Sequence, residues 1–189
     1  KPGMVYSIRS LTPRPVFDLP RGNEGTPGEQ VLPAALSVLE ALESEFKVQT
    51  ETEGFHRAQL ADWITHPENP LTWRSIVNRI WQYHFGKGIV DTPNDFGRAG
   101  NQPTHPALLD YLAIEFQKTG SFKDLHRLIL TSDTYRQSSR HQAENVAIDV
   151  SNRYLWRMNP RKLDAESVRD SILAISGTMD YAMGGPSFE

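Results

Sequence analysis

The clearest pattern of apolar and polar positions lies between Asn69 and Gly86. At about 100° per residue, six apolar side chains fall on one stripe of a helix: Trp73, Ile76, Val77, Ile80, Trp81 and Phe85. Asn69-Pro70 is typical of a helix start, and Gly86 is typical of a helix end. His84 falls near the centre of this stripe, so we expect its ring to be either a packed histidine or part of a site.

Helical spacing recurs along the chain, whereas the alternation typical of strands is rare. It predicts five further helices: Ala34–Phe46, Phe55–Thr65, Thr104–Lys118 with Thr104 as N-cap and Gly120 beyond its end, Phe122–Thr131, and Leu163–Ser176. Two short strands, Val5–Ile8 and Val16–Leu19, are predicted beside a turn at Arg21-Gly22-Asn23. The predicted fold class is therefore mainly α, an irregular helical bundle with an extended, proline-rich N-terminal arm or short hairpin.

The composition of the first 33 residues sets them apart, because they hold six of the 13 prolines. We expect residues 1–54 to form an extended arm plus one helix that packs on a helical domain at residues 55–189. The chain starts at Lys1 and stops shortly after Gly184-Gly185. We therefore expect a piece of a longer protein, with the helical domain cut at its C-terminus.

Charge and composition exclude several kinds of site. The net charge of −3 and the pI near 6.1 give no attraction of the whole chain to nucleic acid. No apolar run approaches the ~20 residues that a membrane span requires. Because the chain has no cysteine, it contains no disulfide framework, catalytic thiolate, iron–sulfur cluster or cysteine zinc site.

Three histidines form the strongest candidate for chemistry. His84, His105 and His126 lie on or beside the apolar faces of consecutive predicted helices. Three imidazoles with an open fourth position can hold a catalytic zinc ion. No HxxxH, HxH or HExxH spacing supports that arrangement. The alternative is that each ring is a histidine at the edge of the core that donates to a backbone carbonyl.

The long loop at residues 87–103 is the best candidate binding surface, because loops of this length are uncommon without a function. Its oxygen side chains Asp91, Asn94 and Asp95 suggest calcium, but the loop lacks the alternating acids and the distal glutamate of an EF-hand. Asn94 and Asp95 are equally suited to Asx turns and caps. The predicted binding surface consists of Arg74, Asn94, Asp95, Arg98 and Asn101.

Arg74 has several predicted partners. It lies beside the tryptophan stripe, where it can stack on Trp73 or Trp81 or bind a carboxylate. The alternative is that its stem packs on apolar surface with the charge in water, or that it forms an internal ion pair with Asp110 or Asp95.

Two other groups of side chains resemble surfaces that bind ligands. The tryptophans Trp63, Trp73, Trp81 and Trp156 could form a platform for a polysaccharide, but helical stripes favour packing in the core. A basic segment interleaved with aromatic rings resembles a nucleic-acid patch: Arg153, Tyr154, Trp156, Arg157, Arg161 and Lys162. In a chain of negative net charge we interpret it as a solvated edge, and we expect no nucleic-acid partner.

The order of short motifs resembles a known family. The motifs are Leu60-Ala61-Asp62-Trp63-Ile64, Asn69-Pro70-Leu71-Thr72, residues 77–86, Thr92-Pro93-Asn94-Asp95-Phe96-Gly97, His105-Pro106-Ala107-Leu108-Leu109-Asp110, residues 128–132, Thr134-Tyr135-Arg136-Gln137-Ser138 and residues 183–186. Together they resemble the first planctomycete surface domain, a domain of unknown function in large exported bacterial proteins. The resemblance implies export and neighbouring domains, often including a c-type-cytochrome-like module, but no catalytic residues.

These observations favour a noncatalytic interaction or scaffold module whose partners are other domains of the same polypeptide. The resemblance implies an exported, surface or periplasmic location. We predict no cofactor and no membrane insertion. Two alternatives stay open at this point: a metal-dependent enzyme or binding domain that uses zinc or calcium, and a glycan-binding module.

Overall fold

The computed structural model describes residues 9–46, 52–182 and 184. Within them it contains seven α-helices and one two-stranded sheet, so the prediction of a mainly α, irregular helical bundle is confirmed. The chain divides into two compact units, residues 1–130 and residues 131–189. No helix in these described ranges is both long and apolar enough to cross a membrane.

The N-terminal arm holds the sheet. Strand β1, Val16–Phe17, pairs antiparallel with β2, Gln30–Val31, with Val16 opposite Val31. The predicted turn lies between them, where Arg21 and Gly22 both have positive φ angles of 56° and 73°. The predicted strand Val5–Ile8 lies outside the described residues.

The predicted helix Ala34–Phe46 is wrong. The segment instead closes on itself, with an isolated antiparallel bridge between Ala34 and Glu45. The amide of Ala35 donates to the carbonyl of Ser44 at 2.7 Å. Among its apolar side chains only Leu42 is buried, whereas Leu36 is exposed. A helix this short is marginal without tertiary burial of an apolar face, so backbone pairing replaces it.

Four helices follow in the first unit. They are α1 Glu53–Thr65, α2 Pro70–Phe85, α3 Pro106–Thr119 and α4 Phe122–Leu130. The predicted ends of α2 are confirmed: the side chain of Asn69 accepts from the amides of Leu71 and Thr72, and Gly86 is left-handed with φ 84°. The residue before α3 is His105 and not the predicted Thr104, whose amide donates to the carbonyl of Ile89.

The core of this unit lies where α2 packs against α3 and α3 against α4. Its buried apolar side chains are Val77, Trp81, Phe85, Ile89, Val90, Leu109, Leu112, Ala113, Phe116, Leu125 and Ile129. Trp81 stacks on Phe85, with ring centroids 4.1 Å apart. The apolar stripe predicted for α2 therefore does face the core.

Three helices lie in the second unit. They are α5 Asp133–Arg136, α6 Ala143–Ile148 and α7 Ala165–Ser176. Helix α7 begins two residues later than predicted, because the carboxylate of Asp164 accepts from the amide of Ser167 as its N-cap. Its predicted end is confirmed, since Gly177 is left-handed with φ 73°. The sequence pattern missed α5 and α6, which are too short to show helical periodicity.

A buried amide fixes the long loop to α2. Asn78 is fully buried, and its Oδ1 accepts from the amide of Val90 at 2.8 Å while its Nδ2 donates to the carbonyl of Val90 at 3.0 Å. A Cβ atom on Gly88 would lie 2.7 Å from that Nδ2 and even closer to the carbonyl oxygen of Val90. Glycine at this position therefore permits the amide to reach the loop backbone.

We expect Asn78→Ala to lower the free energy of unfolding by about 2–4 kcal/mol, because it leaves two buried backbone groups without a partner. Asn78→Asp keeps an acceptor for the amide of Val90, but its ionised carboxylate has no donor for the carbonyl and buries a charge, so we expect it to lower the free energy of unfolding at neutral pH as well. Urea unfolding followed by circular dichroism measures both. Lys123→Ala, at an exposed position in α4, is the control and shifts the free energy by less than about 0.5 kcal/mol. Equal effects for Asn78→Ala and Lys123→Ala would contradict the role of the amide.

Candidate functional site

Two of the three predicted histidines lie in direct contact. Helix α2 carries His84 in its last turn, and α4 carries His126 in its middle. Nε2 of His84 lies 2.8 Å from Nδ1 of His126, and the ring centroids are 5.0 Å apart at an interplanar angle of 72°. One of these nitrogens must therefore carry a proton that the lone pair of the other accepts. Both rings are half-buried.

His105 makes a different contact. Its Nδ1 lies 2.9 Å from Oγ1 of the preceding Thr104, at the start of α3. Among the described residues, no group of three or more histidine, cysteine or acidic side chains could hold a metal ion. The structure thus brings His84 and His126 together and does not add His105 to them.

The loop oxygens are used to hold the loop in shape. Asn94 Oδ1 accepts from Nη2 of Arg79 at 2.6 Å, and Asp95 Oδ1 accepts from the amide of Gly97 at 2.8 Å. The hydroxyl of Thr92 donates to the carbonyl of Asp95 and accepts from the amide of Asn101. Asp91 is exposed. Asp95 therefore makes the Asx-turn contact weighed from the sequence, whereas Asn94 binds the side chain of Arg79 instead, and calcium binding stays a prediction.

Close packing reinforces the loop at Gly100. A Cβ atom there would overlap the carbonyl oxygen of Asp95 and would lie 3.1 Å from Oγ1 of Thr92. A single side chain at this position would therefore displace the backbone that Thr92 organises.

Arg74 pairs with Asp110 on α3, the first of its two predicted acidic partners. Its Nε donates to Oδ1 of Asp110 at 2.6 Å. The pair borders two concave regions. One, of about 300 Å³, is lined by the apolar side chains Trp73 and Ile114 among others. The second, of about 250 Å³, is lined by Phe96 and by the predicted surface residue Asn101.

The predicted binding surface is thus only partly contiguous. Arg74 and Asn101 line one cavity, while Asn94 and Asp95 make the internal bonds described above and Arg98 is exposed. The arrangement offers a guanidinium at the edge of a small, partly apolar cleft. Such a cleft can bind a small polar group, and the carboxylate of Asp110 lies beside the guanidinium in its lining.

The tryptophans are not exposed. Trp81 is buried, and Trp63, Trp73 and Trp156 are half-buried. The indole nitrogens of Trp73 and Trp156 donate to the carbonyls of His66 and Asp149. These contacts are those of structural side chains, so the geometry offers no observation that favours a glycan platform.

The basic segment of the second unit is organised by Asp149. Its carboxylate accepts from the amides of Arg153 and Tyr154 at 2.9 and 2.8 Å. Arg157 stacks over the ring of Trp156, with its guanidinium carbon 5.2 Å from the ring centroid. Slight burial raises the pKa of Asp149, but the hydrogen bonds from Tyr154, Arg153 and Ser151 lower it more, so the net pKa lies below its ordinary value.

Sequence reasoning missed Asn78, which positions the candidate loop. The signal was present, because Asn78 lies three and seven residues before Trp81 and Phe85 and so shares their buried face. A polar amide on a buried face must find hydrogen-bond partners.

We expect the ion pair of Arg74 and Asp110 to contribute less than about 1 kcal/mol, because both side chains are more than a third exposed. A double-mutant cycle with Arg74→Ala and Asp110→Ala, measured by urea unfolding, gives the coupling energy. High salt should reduce it further. A coupling well above 1 kcal/mol would show that the cleft depends on this pair for its shape.

We expect the loop around Asp149 to loosen in acid. A lowered pKa in the folded state means that the stabilisation is present above pH ~4, the ordinary range of aspartate, and is lost as the pH falls through the lower folded value. Amide hydrogen exchange at Arg153 and Tyr154 should therefore accelerate below pH ~4, after correction for intrinsic exchange. Asp149→Asn should abolish this pH dependence. Unchanged protection of both amides down to pH ~2 would contradict it.

Comparison with known proteins places most of the chain in one family. Residues 56–189 match the model of PSD1, described as a protein of unknown function (DUF1553). A search of curated proteins found no match, and a search of solved structures found none. The match covers well over half of the chain, so the chain belongs to the PSD1 (DUF1553) family, a domain of unknown function.

Proposed function

We propose that this chain is a noncatalytic interaction module of a larger exported bacterial protein, and that its partners are other domains of the same polypeptide. The observation that carries the proposal is an exposed apolar face on α7. Val168, Ile172 and Ile175 lie on that face and are 43%, 62% and 88% exposed. Spacings of four and three residues place them on one side of the helix.

The α7 face is concave as well as apolar. Ala165, Val168, Ile172 and Leu173 line a depression of about 410 Å³, with Arg169 at its edge. Contiguous apolar surface of this kind is typical of sites that contact another protein. Burial of Ile172 and Ile175 against another surface would remove their apolar area from water, which is favourable.

The size of the α7 face favours a tethered partner. A helix of 12 residues is about 18 Å long, and one of its faces offers roughly 200–400 Å². A stable complex between separate proteins buries about 800 Å² on each partner. A domain on the same polypeptide binds at an effective concentration in the millimolar range, so a smaller area is sufficient. The resemblance to exported multidomain proteins supports the same partner.

The residues that could have supported catalysis have structural contacts. Asn94, Asp95 and Arg74 are bonded within the chain, and the indoles of Trp73 and Trp156 donate to backbone carbonyls. An interaction module requires no such site. The α7 face therefore supports the proposed function better than any cleft supports an enzyme.

We expect Ile175→Glu, combined with Ile172→Glu, to leave the stability of this chain within about 0.5 kcal/mol of wild type, because both side chains are exposed. In the longer polypeptide, the amides of α7 should exchange more slowly than in this chain alone. The double variant should remove that protection. Hydrogen exchange with mass spectrometry measures the exchange of α7 in this chain alone, in the longer polypeptide and in the longer polypeptide with both substitutions.

Ala174→Glu is the matched control, since Ala174 is exposed on the opposite side of α7. It should leave the protection in place. Equal exchange of α7 in the short and long polypeptides, or equal loss with Ala174→Glu, would overturn the proposed function.

A further inference from the structure

We propose that His84 and His126 bind a divalent transition-metal ion, and that the preferred ion is Cu²⁺. The two rings come from different helices, α2 and α4, and are 42 residues apart in sequence. Their facing nitrogens, Nε2 of His84 and Nδ1 of His126, are 2.8 Å apart. Because imidazole nitrogens are the commonest protein ligands for such ions, this convergence is the arrangement that a two-histidine site requires.

The separation of the nitrogens favours a particular coordination geometry. Metal–nitrogen bonds of about 2.0–2.1 Å place two nitrogens about 2.9 Å apart at a 90° angle, and about 3.3 Å apart at the tetrahedral angle. The observed 2.8 Å is within about 0.1 Å of the first value. The separation therefore matches two adjacent positions of a square-planar or tetragonal ion once the rings turn so that both lone pairs point at the ion, whereas a tetrahedral ion also needs the two nitrogens to move about half an ångström apart.

The ligand chemistry points to the same ion. Tetragonal sites with nitrogen and oxygen ligands are typical of Cu²⁺ and Ni²⁺, and Cu²⁺ binds a given nitrogen site most tightly among the divalent ions of the first row. Water molecules would fill the positions that the two histidines leave open. The half-burial of both rings keeps this side of the site accessible to solvent.

Binding exchanges a hydrogen bond for two coordinate bonds. In the contact described above, one nitrogen carries the shared hydrogen and the other has the lone pair. Coordination needs a lone pair on both, so the hydrogen between the two rings leaves that position, for the other nitrogen of its ring or for solvent.

The site goes beyond the proposed function and depends on other residues. His84 and His126 lie in the first unit, whereas the α7 face lies in the second. A bound ion would join α2 to α4 in place of the hydrogen bond between the two rings. We therefore expect it to stabilise the folded chain in proportion to its affinity and concentration.

The test is titration of the full chain with Cu²⁺, measured by calorimetry and electron paramagnetic resonance. We expect one equivalent with a tetragonal spectrum split by two nitrogens, and a rise in the melting temperature. Ni²⁺ and Zn²⁺ should bind the same equivalent more weakly. His84→Ala should remove this equivalent or weaken it about tenfold or more.

His126→Gln is the second variant, because glutamine can still hydrogen-bond to His84 but is a poor ligand for Cu²⁺. It should fold as wild type does by circular dichroism and yet lose the same equivalent. His105→Ala is the control, since His105 contacts Thr104 instead, and it should retain the equivalent. Wild-type copper binding by both His84→Ala and His126→Gln, or its loss in His105→Ala, would overturn the proposal.

Discussion

The arrangement of the first unit depends on one buried amide. Asn78 binds both the amide and the carbonyl of Val90, and so it satisfies the backbone of a loop that has entered the core. Ile89 and Val90 are buried beside it, and buried backbone groups are costly when they lack partners. The same amide excludes any side chain at position 88, because a Cβ there would overlap its atoms and the carbonyl of Val90. The amide therefore fixes the start of the loop, and the carbonyl of Ile89 in turn accepts from Thr104 just before α3.

Helix α2 organises the first unit because its different faces meet different partners. Its apolar stripe forms the core with α3, and its Asn78 holds the loop. Arg74 reaches Asp110 on α3, and His84 reaches His126 on α4. Arg79, on the exposed side, binds Asn94 within the loop. Each of these contacts therefore has one partner on α2, whose ends are fixed by Asn69 and Gly86.

Sequence patterns predicted those features whose causes are local. The ends of α2 follow from Asn69 and Gly86, and the end of α7 follows from Gly177, because caps act on adjacent backbone groups. The helix expected at residues 34–46 does not form, because apart from Leu42 its apolar side chains are not buried against another surface. Sequence periodicity does not show which helices will find such a surface. His84 and His126 are in contact although they are far apart in sequence. The sequence pattern therefore indicated both rings as candidates, but it could not predict that His105 would lie elsewhere. Helix α6 was missed because its six residues are too few to show the 3.6-residue periodicity of a helix.

The α7 face and the metal site at His84 and His126 are proposed for different physical reasons, and neither proposal depends on the other. The α7 face is inferred from apolar area that water contacts, so its energy comes from burial and is insensitive to the identity of single polar atoms. The histidine pair is inferred from the separation of two nitrogens, so its energy depends on a geometry that a shift of half an ångström would change. A charged residue on α7 leaves the nitrogens of His84 and His126 untouched, and a glutamine at position 126 leaves the α7 face untouched. An ion that joins α2 to α4 would stiffen the first unit, which is compatible with a module that works by contact.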